Sequence, residues 1–191
     1  MGSVTLVLGG ARSGKSRFAQ RLAERASSVA FVATAKATDA EMADKIRRHR
    51  QERPKHWHTF EEPLDLAGVL AKHASQFDLL IVDCLTIFVA NILDERAEAA
   101  ASMRMDAFLK ALQAAHASVV LVSNEVGSGV VPEYPSGCRF RDLLGELNQK
   151  AAALADNVVL MIAGLPLVLK GEIDSRIPVQ RMANVLMKAE S

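Results

Sequence analysis

A short glycine-rich segment constrains the fold of this chain more than any other part of the sequence. It consists of Gly9, Gly10, Ala11, Arg12, Ser13, Gly14, Lys15 and Ser16, and it follows the apolar run VTLVLG of residues 4–9. The segment fits G-x-x-x-x-G-K-[ST] between a predicted strand and a predicted helix, where backbone N–H groups converge on phosphate oxygens. We expect Lys15 to bridge the β- and γ-phosphates of a nucleotide and the Ser16 hydroxyl to bind Mg²⁺. A chance glycine turn would not explain why Lys and Ser follow the last glycine.

Apolar runs alternate with helical patterns along the rest of the chain. The sequence predicts strands over residues 4–9, 29–34, 79–83, 118–124, 158–164 and 167–169. It predicts helices over about 15–26, from a capping box at Thr38 and Glu41 to just before Pro54, after Pro63, over 97–116 and around 139–155, with a loop over 126–137. Strands that are apolar on both faces are typical of a parallel sheet covered by helices. We therefore predict an α/β fold with a mostly parallel sheet and helices on both faces.

Length and composition are those of one globular unit. The 191 residues are 50% hydrophobic and 24% charged, with a net charge of +1, so the chain is not disordered and has no basic field for nucleic acid. Cys84 and Cys138 are too few for a disulfide framework. No apolar run reaches the ~20 residues of a membrane helix, and none has the pattern of a signal peptide. We expect a soluble, cytoplasmic protein with one domain over 1–170 and a tail of unassigned role over 171–191.

Two carboxylates follow predicted strands. Asp83 closes LLIVD, and Glu125 follows SVVLVSN; open α/β sheets bind ligands at this end of their strands. Asp83 is placed to serve Mg²⁺ beside a phosphate loop, although it also suits the N-cap of a helix starting near Leu85. For Glu125 the spacing leaves three roles open, namely a base, a substrate ligand and an anchor of its loop.

The stretch RRHRQERPKHWH, residues 47–58, combines histidines with arginines. On the predicted helix Met42, Ile46 and His49 fall at i, i+4 and i+7, so His49 is expected to face the protein body. Arg47 and Arg48 point elsewhere and are expected to be solvated.

Three interpretations of His49 compete. It is a hydrogen-bonded, inert histidine, a metal ligand together with His56 and His58, or a nucleophile that attacks phosphorus while Arg50 and Arg53 hold the oxyanions. The surrounding cations make a poor zinc site. Spacing alone does not decide between the other two, but the phosphate loop favours the nucleophile because clustered arginines suit a polyphosphate.

Several blocks of the sequence occur together in one enzyme family. They are GGARSGKS, FVATA, EMADKIRRHRQERPKHW followed by EEP, LLIVDCLT, SNEVGSGVVPE, and RFRDLLGELNQKAAALAD followed by AGLPLVLK, in this order from about residue 4 to 170. The chain therefore resembles the bifunctional adenosylcobinamide kinase / adenosylcobinamide-phosphate guanylyltransferases of cobalamin biosynthesis. The most specific matches are I-x-x-H-R-x-x-R-P and SNEVGxGxVPE.

The resemblance implies two reactions. A nucleoside triphosphate, ATP or GTP, phosphorylates the hydroxyl of the aminopropanol arm of adenosylcobinamide. GTP then forms a covalent GMP–histidine intermediate with release of pyrophosphate, and adenosylcobinamide phosphate takes the GMP to give adenosylcobinamide-GDP. The guanylylated histidine corresponds to His49.

The resemblance also implies a set of binding residues. The guanine-nucleotide contacts map to Gly9–Ser16, to Ala33, Thr34 and Ala35, to Arg50, Gln51, Glu52 and Arg53, to Glu61 and to Asp83. The family fold is a P-loop domain of the RecA-like kind, and its members form trimers. Two alternatives stay open: a simple small-molecule kinase in which His49 is structural, and a non-enzymatic nucleotide-dependent binding module.

Overall fold

The structure, a computed structural model, describes residues 2–37, 40–51, 53–94 and 98–173. In this part of the chain seven strands form one sheet. The strands are β1 (Val4–Gly9), β2 (Val29–Ala33), β3 (His58–Glu61), β4 (Leu79–Asp83), β5 (Ser118–Val122), β6 (Asn157–Ile162) and β7 (Leu165–Lys170). The helices are α1 (Lys15–Ala23), α2 (Ala40–Gln51), α3 (Leu66–His73), α4 (Leu85–Asp94), α5 (Glu98–Ala114) and α6 (Pro135–Leu154).

The sheet order is β3-β2-β4-β5-β1-β6-β7. Every neighbouring pair is parallel except β6 and β7, which are antiparallel. The predicted mostly parallel α/β fold is therefore confirmed. β1 lies between β5 and β6, so the segment that follows it leaves from the interior of the sheet.

Two hydrophobic cores cover the two faces of the sheet, because successive residues of a buried strand point to opposite sides. On the first face, α1 contributes Phe18 and Ala19 against Phe31 and Ile81. On the second face, α3, α4, α5 and α6 pack against residues such as Leu6, Leu80 and Leu121. Each fully buried Phe or Leu stabilises the fold by roughly 1.5–3 kcal/mol, so the strand ends are held on both sides.

Several element boundaries differ from the sequence predictions. The predicted loop over 126–137 was wrong at its end, because α6 already begins at Pro135, with the proline in the first turn, where its missing N–H costs no hydrogen bond. The strand β3 (His58–Glu61) was not predicted; it is short, pairs only with β2 in the sheet and has exposed ends. The predicted capping box includes Thr38, which lies outside the described residues.

Candidate active site

The carboxyl ends of the strands bring several of the predicted site residues into one row. In the register of the sheet, Ala33 is paired with Glu61 on one side and with Asp83 on the other. Register partners in parallel strands point to the same face, and Phe31, two residues before Ala33, shares that face as well. This is the face covered by α1. The row therefore lies on the same side of the sheet as α1, the helix that follows the phosphate loop.

The phosphate loop, residues 9–16, is closed by its own backbone. Ser13 N–H donates to the Gly10 carbonyl at 3.4 Å, and Gly14 occupies the N-cap of α1 with a φ of 94°. At Gly9, where φ is 151°, an added Cβ would lie 2.5 Å from the Met161 carbonyl oxygen. Only glycine is free to adopt such a conformation this close to another backbone. The loop conformation thus depends on its glycines at these two positions.

The Lys15 ammonium lies inside this loop. Its Nζ donates to the Gly10 carbonyl at 2.6 Å and to the Ser13 Oγ at 3.5 Å, and the residue is only 8% exposed. Burial lowers the pKa of Lys15, and the nearby Cys84 and Asp83 partly offset that decrease. A buried ammonium whose partners are loop groups is ready to exchange them for phosphate oxygens.

A buried hydrogen-bond network ties β2 to the segment after β4. Thr34 is fully buried, and its hydroxyl donates to the Cys84 carbonyl at 2.9 Å and accepts from the Cys84 N–H at 2.8 Å. The Thr34 N–H donates to the Asp83 carbonyl at 3.2 Å. These bonds fix the backbone at Asp83 and therefore the point from which its side-chain carboxylate extends. The nucleotide contact implied for Thr34 stays a prediction.

Asn91 extends this network and was missed by the sequence analysis. Its Nδ2 donates to the Thr34 carbonyl at 2.8 Å and to the Pro63 carbonyl at 3.2 Å. One amide of α4 thereby holds the ends of β2 and of the segment after β3 together. The one amide in the predominantly apolar helix LTIFVANILD was the available signal, because a buried amide needs hydrogen-bond partners.

Cys84, next to Asp83, is a half-buried free thiol. Burial raises the pKa of this thiol, and the charge of Asp83 raises it further. A protonated thiol is a poor nucleophile and a poor metal ligand. These surroundings suit a small packing residue better than a nucleophile.

The C-terminal end of α2 lies against the same row. Arg50 Nη1 is 3.5 Å from Glu61 Oε1, with both side chains largely exposed. Arg53, just after the helix, places its guanidinium carbon 3.7 Å from the centroid of the Phe31 ring. Burial lowers the pKa of Arg53; Asp83 and Glu61 act in the opposite direction, and Arg50 lowers it further. An arginine nevertheless stays protonated, so a fixed positive charge lies beside Asp83.

The structure describes only some of the α2 residues for which the sequence made predictions. His49 belongs to α2 between Ile46 and Arg50, but its side chain lies outside the described part of the structure, as does Glu52 as a whole. Met42 and Ile46 are partly buried, and Arg47 and Arg48 are exposed as predicted. His56 and His58 are exposed on either side of the buried Trp57.

Glu125 anchors its own loop beside the phosphate loop. Its Oε1 accepts the Gly127 N–H at 2.6 Å, and its N–H donates to the Gly9 carbonyl at 3.1 Å. Of the three roles left open for Glu125, these contacts support the loop anchor.

Neither a candidate metal-binding group nor a membrane-spanning helix occurs in the described residues. Among residues 2–37, 40–51, 53–94 and 98–173, no group of three or more His, Cys, Asp or Glu side chains is arranged to hold a metal ion. No helix in the described ranges is both long and apolar enough to cross a bilayer.

Comparison with known proteins identifies the family. The family model described as cobinamide kinase / cobinamide phosphate guanyltransferase matches residues 5–169. The chain belongs to this family. Similar relatives are the bifunctional adenosylcobalamin biosynthesis protein CobP of Pseudomonas aeruginosa, 45% identical over 87% of this chain and 97% of its own, and CobU of Escherichia coli, 39% identical over 86% of this chain and 98% of its own.

Family membership gives this chain both activities, those of a cobinamide kinase and of a cobinamide phosphate guanylyltransferase, with nucleoside triphosphates as substrates. The solved structure of a prototypical ATPase from the type III secretion system of pathogenic bacteria is similar in fold, with a TM-score of 0.58 and 10% sequence identity, over 100% of this chain and 67% of that one. That likeness supports the P-loop fold of this cobinamide kinase and says nothing of its substrates.

Proposed function

We propose that both activities of this cobinamide kinase use one nucleotide site at the carboxyl ends of β1, β2, β3 and β4. The phosphate loop holds the triphosphate, and the row formed by Ala33, Glu61 and Asp83 lies beside it. Adenosylcobinamide accepts the γ-phosphate of ATP or GTP on its aminopropanol hydroxyl, and adenosylcobinamide phosphate then accepts GMP.

The kinase step depends on charge placed around the phosphates. Lys15 donates to the β- and γ-phosphate oxygens after giving up the Gly10 carbonyl, and the N–H groups of residues 9–16 supply further donors. Ser16 and Asp83 are the proposed Mg²⁺ ligands; oxygen donors of this kind, few in number, suit an ion that keeps several waters and binds phosphates. Bound there, Mg²⁺ would neutralise charge on the phosphate oxygens.

His49 is the proposed nucleophile of the transfer step. A neutral imidazole nitrogen attacks the α-phosphorus of GTP, a nitrogen–phosphorus bond forms, and the bond to the bridging oxygen breaks to release pyrophosphate. A phosphate oxygen of adenosylcobinamide phosphate then displaces the imidazole. Gln51 and Glu52 follow on the same chain segment, and they, with Ala35 and Glu61, are proposed contacts to the guanine nucleotide.

The position of Arg53 is the single observation that best supports this assignment. Its Nε is buried and has no hydrogen-bond partner among the described residues, while its guanidinium lies over Phe31 on the face of Asp83. A buried donor without a partner costs about 1–3 kcal/mol, which a phosphate oxygen would recover. His49 lies four residues before Arg53, so the proposed nucleophile and this donor lie near the same end of α2.

Three further properties complete the proposal. Residues 1–170 form the catalytic domain, with 171–191 as an additional tail. The chain assembles into a trimer, as its resemblance to the family implies, and acts in the cytoplasm. Sedimentation of the full chain tests the trimer directly, since a trimer has three times the mass of the chain.

Radiolabelled GTP tests the role of His49. Label in the α-phosphate is expected to become protein-bound through an acid-labile, alkali-stable bond, as a phosphoramidate requires. The label should be lost in His49→Asn and retained in His56→Asn and His58→Asn, matched controls whose side chains are exposed a few residues away. Phosphate transfer from γ-labelled ATP should survive in all three variants. Protein-bound α-label in His49→Asn would move the nucleophile to another residue.

A further inference from the structure

The loop between β5 and α6 carries exposed apolar side chains. Val130 is 94% exposed, Val131 62% and Tyr134 71%. We call these three residues the apolar loop cluster. Large apolar residues grouped on a surface mark interaction sites more often than singly exposed ones do.

The backbone around the cluster is anchored beside the phosphate loop. At its start, the Glu125 N–H bonds to the Gly9 carbonyl, and Gly127 bonds to the Glu125 carboxylate at 2.6 Å. At its end, Cys138 Sγ donates to the Pro132 carbonyl at 3.2 Å. The side chains are thus presented to solvent from a braced loop at the carboxyl edge of the sheet, where the triphosphate binds.

The opposite side of the proposed nucleotide site is charged. Arg50 and Glu61 form its exposed ion pair. Next to them a cleft of about 490 Å³ is lined by residues that include Glu61, Glu62, Asp65 and Lys72. An uncharged ligand gains little from displacing water around such groups, because their desolvation is unfavourable.

The acceptor substrate must satisfy two conditions at once. The hydroxyl of its aminopropanol arm has to reach the γ-phosphate, while its macrocycle is too large to enter the phosphate loop and stays outside it. A corrin ring presents methyl groups and uncharged amides at its edge and a broad conjugated face. The apolar loop cluster offers two aliphatic side chains and an aromatic ring with a hydroxyl, which match these groups in polarity.

We propose that Val130, Val131 and Tyr134 bind the corrin macrocycle of cobinamide and thereby position its aminopropanol arm for phosphorylation. The inference rests on the proposed nucleotide site at the phosphate loop, and it assigns the cluster to acceptor specificity and not to nucleotide binding. The Tyr134 ring packs against the macrocycle, and its hydroxyl bonds to a peripheral amide.

Equilibrium dialysis with cobinamide tests the assignment, because the corrin absorbs visible light. Tyr134→Ser and the double variant Val130→Ser/Val131→Ser should each raise the dissociation constant for cobinamide about tenfold. Leu169→Ser is the control: Leu169 is also exposed, but it lies on β7 near the opposite edge of the sheet, next to Lys170, which pairs with Val158. Its affinity for cobinamide should stay within about twofold of the unchanged protein.

A second measurement separates this inference from the nucleotide site. The α-label of GTP should reach the protein in both loop variants as it does in the unchanged chain. If no label binds even to the unchanged chain while cobinamide affinity falls as expected in the loop variants, the macrocycle assignment stands and the transfer mechanism fails. Unchanged cobinamide affinity in both loop variants overturns the macrocycle assignment. A sedimenting mass that falls in these variants also overturns it, since the cluster would then be a contact between copies of this chain.

Discussion

The phosphate loop and helix α2 both carry cations that we propose to bind phosphate, but they are held in different ways. The loop is closed by its own backbone bonds and continues into α1, which buries Phe18 and Ala19 under the sheet. Helix α2 shows exposed ion pairs, Arg47 with Asp44 at 3.0 Å and Arg50 with Glu61 at 3.5 Å. Surface pairs of this kind contribute about 0–1 kcal/mol each.

We expect this difference to separate the two proposed chemical steps. Transfer of the γ-phosphate needs charges fixed in advance, which a buried loop supplies. The proposed attack by His49 requires its helix to approach a nucleotide already bound, and we expect α2, whose ion pairs are exposed, to be able to shift. Substitutions in the loop should therefore act mainly on γ-phosphate transfer, and substitutions of the proposed nucleotide ligands at the end of α2 on GMP transfer alone.

Lys15→Met should give the largest effect, because it removes the charge at the centre of the loop. We expect γ-phosphate transfer to fall about 10³-fold, measured with cobinamide and labelled ATP. The matched control Arg17→Met removes an exposed cation of α1 and should retain activity. Normal activity of Lys15→Met would mean that the loop does not carry the kinase step.

The same variant should be more stable at neutral pH. Burial lowers the pKa of Lys15 below its ordinary value of 10.5, so between the lowered pKa and 10.5 the unfolded chain binds more protons than the folded one, and stability rises with pH. Below that window the folded protein bears the full cost of the buried charge. Removing it should raise the free energy of unfolding by about 1 kcal/mol at pH 7, and by less near pH 10, in urea titrations.

Arg53→Met tests the other region. Loss of this buried cation should reduce GMP transfer to the protein about 10²-fold and leave γ-phosphate transfer nearly unchanged. Arg47→Met, which removes an exposed cation from α2, should change neither step. An equal loss of both activities in Arg53→Met would show that α2 and the phosphate loop work as one unit.

Asn91→Leu should loosen the network that links the two regions. The substitution leaves the carbonyls of Thr34 and Pro63 without their donor, which costs about 2 kcal/mol and lowers Tm by several degrees in a thermal melt. Ala90→Ser, at an exposed neighbour in α4, should be neutral. If the Tm of Asn91→Leu were unchanged, we would conclude that the Thr34 bonds hold the backbone at Asp83 without help from Asn91.

The smallest effect is expected for the Arg50–Glu61 pair. A double-mutant cycle with Arg50→Gln and Glu61→Gln should give a coupling free energy of unfolding below about 0.5 kcal/mol, and less in ~1 M salt. A coupling above about 1 kcal/mol would contradict the comparison, because α2 would then be anchored as a buried element is.

The sequence analysis succeeded where the determining residues are contiguous. The phosphate loop has its glycines and lysine within eight residues, and strands such as Leu79–Asp83 are visible as apolar runs. Asp83 could be placed at the ligand-binding edge of the sheet because it ends a strand.

Features whose contact partners are distant in the sequence could not be predicted. Asn91 donates hydrogen bonds to carbonyls of residues that are 57 and 28 positions away in the sequence. No local sequence pattern predicts such long-range contacts. The strand His58–Glu61 forms only because β2 is already there to pair with, and isolated short polar strands carry little signal. The Arg53 contact with Phe31 likewise joins a helix end to a strand through the fold.

The place of β1 in the sheet has a consequence for synthesis of the chain. β1 pairs with β5 and β6, which follow it in sequence, and the Ser13 carbonyl accepts a hydrogen bond from the Gly164 N–H at 3.1 Å. During translation the phosphate loop is therefore made before these partners. Such long-range pairing slows folding, and nucleotide binding cannot help a nascent chain until the β6–β7 turn has left the ribosome.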